Sequence, residues 1–206
     1  MAKNHIPSAP RAPTSQVTNG PKPADQTGAL FDELLVMLVQ QGDKAAAERL
    51  FHRWNPRLLR SSRRYAGDAA LAEQLAQDCW LAIWRGIGDL RETSRFAPWA
   101  FGILQRKGAS LIATAMRDRA IIQDDADVPA DTASHPDERL SINQAFARLP
   151  PDQRLSAHLY FVEGLALHEI AAVQAIPIGT AKSRLFHARR KLKAALNPDT
   201  PKGENP

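Results

Sequence analysis

Cysteine is all but missing from this chain. Cys79 is the single one in 206 residues, so no internal disulfide can form and stability rests on packing. Long apolar runs are missing as well. The densest, Leu34 to Val39, falls far short of the roughly 18 residues that a membrane span needs. Pro, Ser and Asn interrupt the N-terminus where a secretory signal would carry an apolar core, so a cytoplasmic protein with no membrane partner is expected. Strict two-residue alternation and hairpin turn signals are also lacking, which argues against sheet. Catalytic and metal signatures stop short in the same way. His168-Glu169 opens like a zinc-protease helix, but Ala172 stands where the second histidine belongs. Gly86-Ile87-Gly88 lacks the third glycine and the preceding strand of a nucleotide loop. The six histidines are scattered, and Cys79 has no partner at ligand spacing. Cys79 is read as a small buried hydrophobe. No enzyme activity, metal or cofactor is expected.

What is present is an ordinary globular composition, 44% hydrophobic and 24% charged. A net charge of +5 suits a nucleic acid, an acidic protein partner, or simply a basic protein, so the placement of that charge decides. The first thirty residues hold five of the fifteen prolines and no apolar periodicity, and residues 1–27 are expected to be a disordered arm. Residues 28–119 form one patterned stretch and residues 137–197 another, with a flexible tail over 198–206. Between them, residues 120–136 read as a linker. Six acids and no Lys or Arg fall between Ala120 and Glu138. Tethered beside a basic helix, these acids are expected to hold the free protein shut at low salt. Single exposed pairs are worth about 0–1 kcal/mol, so the effect would be collective; a plain spacer is the alternative.

Both stretches are helical in pattern, giving an all-α fold of two small domains. Leu30, Phe31, Leu34, Leu35, Leu38 and Val39 recur at helical spacing, and Gly42 stops them. Asp43 can cap a second helix with Leu50, Trp54, Leu58 and Leu59 on one side. A third, from Asp68, carries Leu71, Leu75, Cys79, Ala82 and Ile83. A fourth, after Ser94, turns Phe96, Trp99, Ile103 and Leu104 inward. In the second stretch a helix from Asp137 ends before Pro150-Pro151, and another runs from Asp152 to Glu163, with Gly164 placed to terminate it. A short helix over Leu167 to Val173, a turn at Ala175-Ile176-Pro177 and a final basic helix then make a helix-turn-helix arrangement.

At 100° per residue, Ala181, Leu185, Ala188 and Leu192 share a narrow sector of the last helix, its buried stripe. Ser183, His187 and Arg190 lie opposite, with Phe186 beside them. Ile178 to Leu196 holds six basic residues and no acid. A solvated helix mixes both signs, so this one suits a polyanion.

The segment LAQDCWLAIWR, from Leu75 to Arg85, followed by FAPW from Phe96, resembles the second conserved region of extracytoplasmic-function sigma factors. The phrases ARLPPDQR, YFVEGLALHEIA and IPIGTAKSRLFHARRKLKAAL resemble their fourth region. The resemblance implies a non-catalytic alternative sigma factor. Its partners would be core RNA polymerase, promoter DNA and an anti-sigma factor. The first domain would dock on the polymerase clamp helices and melt the minus-ten element, and the second would read the minus-thirty-five element as duplex. On this reading Ser183, Phe186, His187 and Arg190 meet base edges, while Thr180, Lys182, Arg184 and Lys191 meet phosphates. Phe96, Trp99, Arg106 and Lys107 line the single-strand surface, and Glu73, Gln74, Gln77 and Asp78 face the polymerase. The chain departs from the family at Arg106 and Ser110, where Asn and Asp are frequent, and at Ala113 to Ala115 in a basic run. Weak, altered or absent promoter melting is the implication. Gln174-Ala175 replaces the usual Leu-Gly, and Ala166 replaces a capping Ser or Thr, a loss of about 1 kcal/mol. Two other classes share these residues: a sigma-like regulator that sequesters an anti-sigma factor, and an independent helix-turn-helix repressor.

Overall fold

Residues 23–121 and 137–196 are described by the computed structural model; they form eight α-helices and, among the described residues, no strand. The first four helices are α1 (Pro23–Gln40), α2 (Lys44–Ser62), α3 (Ala69–Gly86) and α4 (Phe96–Ile121). The expected caps are in place: Asp43 accepts from the Ala46 amide and Asp68 from the Leu71 amide, each satisfying a donor that the first helical turn leaves over. Gly42 closes α1 in the left-handed region at φ 88°. Gln40 reaches from α1 to the carbonyls of Ile87 and Leu90, at 2.8 and 2.9 Å, and so secures the short turn after α3.

Trp54, Leu50 and Leu58 of α2, Ile83 of α3, and Phe96, Phe101 and Leu104 of α4 fill the core of this half. Trp54 and Phe96 meet edge to face, ring centroids 4.9 Å apart. Three expectations need correction. Helix α1 opens at Pro23, inside the stretch expected to be unstructured through residue 27; a proline is well suited to a first helical turn, where its missing N–H costs nothing. Of the apolar residues of α1, Leu35 is buried, whereas Leu30, Phe31 and Leu34 are exposed, because the helix offers a broader apolar face than α2 covers. Leu71 is likewise exposed rather than inward.

The second half comprises α5 (Asp137–Ala147), α6 (Pro151–Phe161), α7 (Leu167–Gln174) and α8 (Ile178–Leu196). Helix α6 ends at Phe161, two residues before the expected Glu163, and Gly164 turns the chain in the left-handed region at φ 74°. Ala166 has no side-chain acceptor, yet Glu169 accepts from its amide at 2.7 Å, so half of a capping box survives. Ala181, Leu185, Ala188 and Leu192 form the buried stripe of α8.

The two halves are packed together, which the sequence did not announce. Helix α7 lies against α4, and Leu159, Leu165, Ile170 and Val173 join the core built on Trp54 and Phe101. At the edge of this joint the Glu163 carboxylate is fully enclosed. Arg57 of α2 donates to its Oε2 at 3.0 Å and to its backbone carbonyl at 2.8 Å. Arg60 and Ser61 donate to Oε1 at 3.0 and 3.1 Å, and His158 Nε2 lies 3.2 Å from the same oxygen. Burial by itself would raise the Glu163 pKa; the His158 hydrogen bond and the Arg57 and Arg60 charges outweigh it and hold the value at about 2. The acidic linker of residues 120–136 lies outside the described residues apart from the end of α4.

Candidate nucleic-acid interface

With its stripe buried, α8 presents the rest of its circumference outward. Lys182, Ser183, Arg190 and Lys191 are exposed, and Phe186 is 61% exposed. Thr180 and His187 are half-buried, the His187 ring standing edge-on to Phe186 at 5.5 Å. Arg189 is drawn back over the rings of Tyr160 and Phe161, 5.7 and 5.8 Å from their centroids. Arg184 is a correction. Its guanidinium donates to Asp152 at 2.7 Å and to Gln174 at 2.8 Å, so it ties α8 to α6 and α7 instead of facing a phosphate. The pair was hidden from the sequence because the three residues lie on different helices.

The single-strand residues divide in the same way. Phe96 is buried to 1% exposure, with no face free for a base, and the expectation of a contact there is corrected: its ring is core. Trp99 is half-buried and Arg106 exposed. Both line a hollow of about 320 Å³ together with Leu90, Arg91, Glu92, Arg95 and, from α7, Ala172; Glu92 pairs with Arg95 at 3.6 Å, so three arginines face one acid. Arg91 and Arg95 were not anticipated. Their signal was available as RETSR just before FAPW, but a cationic rim becomes evident only when that turn folds back on α4. Lys107 is half-buried. Burial pushes the nearby Cys79 thiol up to about 12, against the pull of Lys107, which leaves Cys79 inert.

Glu73, Gln74, Gln77 and Asp78 all lie exposed on the outer side of α3. Glu73 and Gln77 border a cleft of about 540 Å³ whose floor includes Phe51, Trp80, Leu81 and Trp84. Trp80 stacks on Trp84 at 5.0 Å and donates to Asn55 at 3.1 Å. Exposed Leu81 and Trp84 add an apolar component that the polar residues alone did not suggest. Among the described residues no cluster of metal-ligating side chains occurs and no helix is long and apolar enough to cross a membrane.

Comparison with known proteins gives these surfaces their context. The family model of Sigma-70 region 2 matches residues 50–118, and that of Sigma-70 region 4 matches residues 145–194. The RNA polymerase sigma-H factor of Pseudomonas aeruginosa is 30% identical over 182 residues, covering 81% of this chain and 94% of the relative. This chain belongs to the sigma-70 family of RNA polymerase sigma factors. The sigma factor is also 26% identical over 189 residues to the extracytoplasmic-function sigma-E factor of Escherichia coli, across 82% of this chain and 96% of that one. In fold it resembles the sigma factor RpoE of Bartonella quintana, solved with the anti-sigma factor NepR. There the TM-score is 0.64 at 24% identity, over 74% of this chain and 98% of that one. The protein is therefore a promoter-recognising initiation factor of the extracytoplasmic-function group, and α7–α8 is its region 4 helix-turn-helix.

Proposed function

We propose that this sigma factor docks on core polymerase through the outer side of α3. Glu73, Gln74, Gln77 and Asp78 would supply polar contacts, and the Trp80–Trp84 cleft an apolar seat. The second domain (residues 137–197) reads the minus-thirty-five duplex with Ser183, Phe186, His187 and Arg190, while Lys182 and Lys191 hold phosphates. The first domain (residues 28–119) holds the displaced minus-ten strand at Trp99, with Arg91, Arg95, Arg106 and Lys107 on its backbone. Bases stacked on an aromatic ring gain about 1–3 kcal/mol each, and guanidinium groups, having only donors, suit phosphate. On this reading nucleotide addition belongs to the polymerase rather than to the sigma factor, and the place of action is the cytoplasm. An anti-sigma factor is a natural regulator, as the Bartonella relative was solved with one.

The observation that carries this reading is the face of α8: basic, free of acid over its length, and outward while the opposite stripe is buried. Reconstitution with core polymerase and run-off transcription on genomic fragments tests it. Promoter-specific transcripts are expected, and their absence would overturn it. Because that face is already exposed in the free chain, a polymerase-independent repressor is the second reading. Tight operator binding without polymerase would favour it.

A further inference from the structure

The joint between the two halves carries an inference that rests on the assignment of the Trp99 hollow to single-stranded DNA and goes beyond it. Glu163 belongs to the second domain, and Arg57 and Arg60 to the first. An enclosed carboxylate is tolerated only when charges and donors compensate the water it has lost, and here both arginines that pair with it come across the joint. Separating the halves rehydrates both sides; removing the arginines while the halves stay together strands a buried charge. Arg57 is further fixed by stacking on the Trp54 ring at 4.0 Å. The same joint brings Ala172 of α7 to the rim of the hollow that holds Trp99 and Arg106, whereas Lys182, Ser183 and Arg190 on α8 remain exposed.

We propose that Glu163, seated between Arg57 and Arg60, is an interdomain latch that holds the free sigma factor closed, with α7 standing at the single-strand surface while the duplex-reading face stays open. Promoter opening then requires release of the latch, and duplex binding does not. The acid in this latch is a single buried residue, Glu163.

Energy transfer within the full-length chain tests this, with dyes on Glu48→Cys and Ala194→Cys. Both positions are exposed, and the buried Cys79 takes no label. The unmodified latch should give high transfer. The double change Arg57→Gln with Arg60→Gln should lower it without loss of helicity. Glu163→Gln should act in the same direction; if it fails to fold, Arg60→Gln, at a half-exposed position, decides on the same criteria. If the closed form outweighs the open by ~10 to 1, the apparent Kd for a fluorescent single-stranded oligonucleotide should fall about tenfold on opening, with duplex affinity unchanged. High transfer that survives loss of both arginines would overturn the latch. Lowered transfer with no gain in single-strand binding would overturn its guarding of that surface. Arg106→Ala in the opened protein separates the two readings. Loss of the gained binding ties it to the hollow. Binding that survives this change removes the hollow as the single-strand site and leaves the latch standing on energy transfer alone.

Discussion

Arg184 and Asp152 meet at 2.7 Å across the packing of α8 on α6, with Gln174 holding the other guanidinium nitrogen. A residue that the family resemblance assigns to a phosphate contact is thereby committed to the fold of the second domain. Arg184→Ala should cost about 1 kcal/mol of stability, the usual worth of a partly exposed pair with one added hydrogen bond. It should leave the salt dependence of duplex binding nearly unchanged. Lys182→Ala should do the opposite, reducing the log–log slope by about 0.9 with no change in unfolding. Calorimetry and salt titrations of duplex binding check both.

Ala175 occupies the left-handed region at φ 52°, in the turn between the two helices of the DNA-binding motif. A side chain there is strained, and glycine is not. Ala175→Gly should therefore stabilise the protein by about 1 kcal/mol, seen as a higher urea midpoint at unchanged slope. A lower midpoint would show that the turn pays no penalty for its alanine.

Gly108 faces the Tyr65 ring so closely that an added Cβ would stand 2.4 Å from Tyr65 Cγ. Gly108→Ala should destabilise by about 1–3 kcal/mol through overpacking, despite the better helix propensity of alanine. Combining it with Tyr65→Leu should recover part of that loss. Strict additivity in the double-mutant cycle would contradict the clash.

Phe96 and Trp99 sit one helical turn apart, yet only the latter retains an accessible edge. Phe96→Ala should cost about 3–5 kcal/mol, as for a large core side chain, and Phe96→Leu should fold and bind single strands normally. Trp99→Ala should cost less stability and abolish single-strand binding, read by oligonucleotide anisotropy.

Burial lowers the His158 pKa from its ordinary 6.5, against the raising influence of the Glu163 hydrogen bond. The unfolded chain therefore takes up the proton first, and stability declines as pH falls from about 6.5 toward the lower folded value. Above that window the contribution is fully present. Glu163, held at about 2, loses its own contribution only below about 4.5, so the two effects separate. Denaturation midpoints at pH 7.5, 6.5 and 5.5 should fall in that order, and His158→Gln should flatten the trend.

Local signals were legible throughout the sequence because their physics is local. Asp43 and Asp68 cap because an acceptor must lie within three residues of the amide it serves. Ala181, Leu185, Ala188 and Leu192 share a face because helix geometry alone puts them there. The six bases and the absence of acid between Ile178 and Leu196, and hence a polyanion partner, were legible in the composition of that one helix. What lay between distant residues was not legible. Spacing says nothing of which of two aromatics one turn apart is enclosed, so Phe96 and Trp99 separated only when α2 brought Trp54 against Phe96. Nor could composition reveal that Arg184 has Asp152 across two helices, or that Glu163 has Arg57 and Arg60 about a hundred residues away. A charge reads as solvated until packing removes its water, and only the tertiary structure decides which charges lose it. In this sigma factor that decision placed the Glu163 carboxylate, with its water removed, at the joint between the two domains.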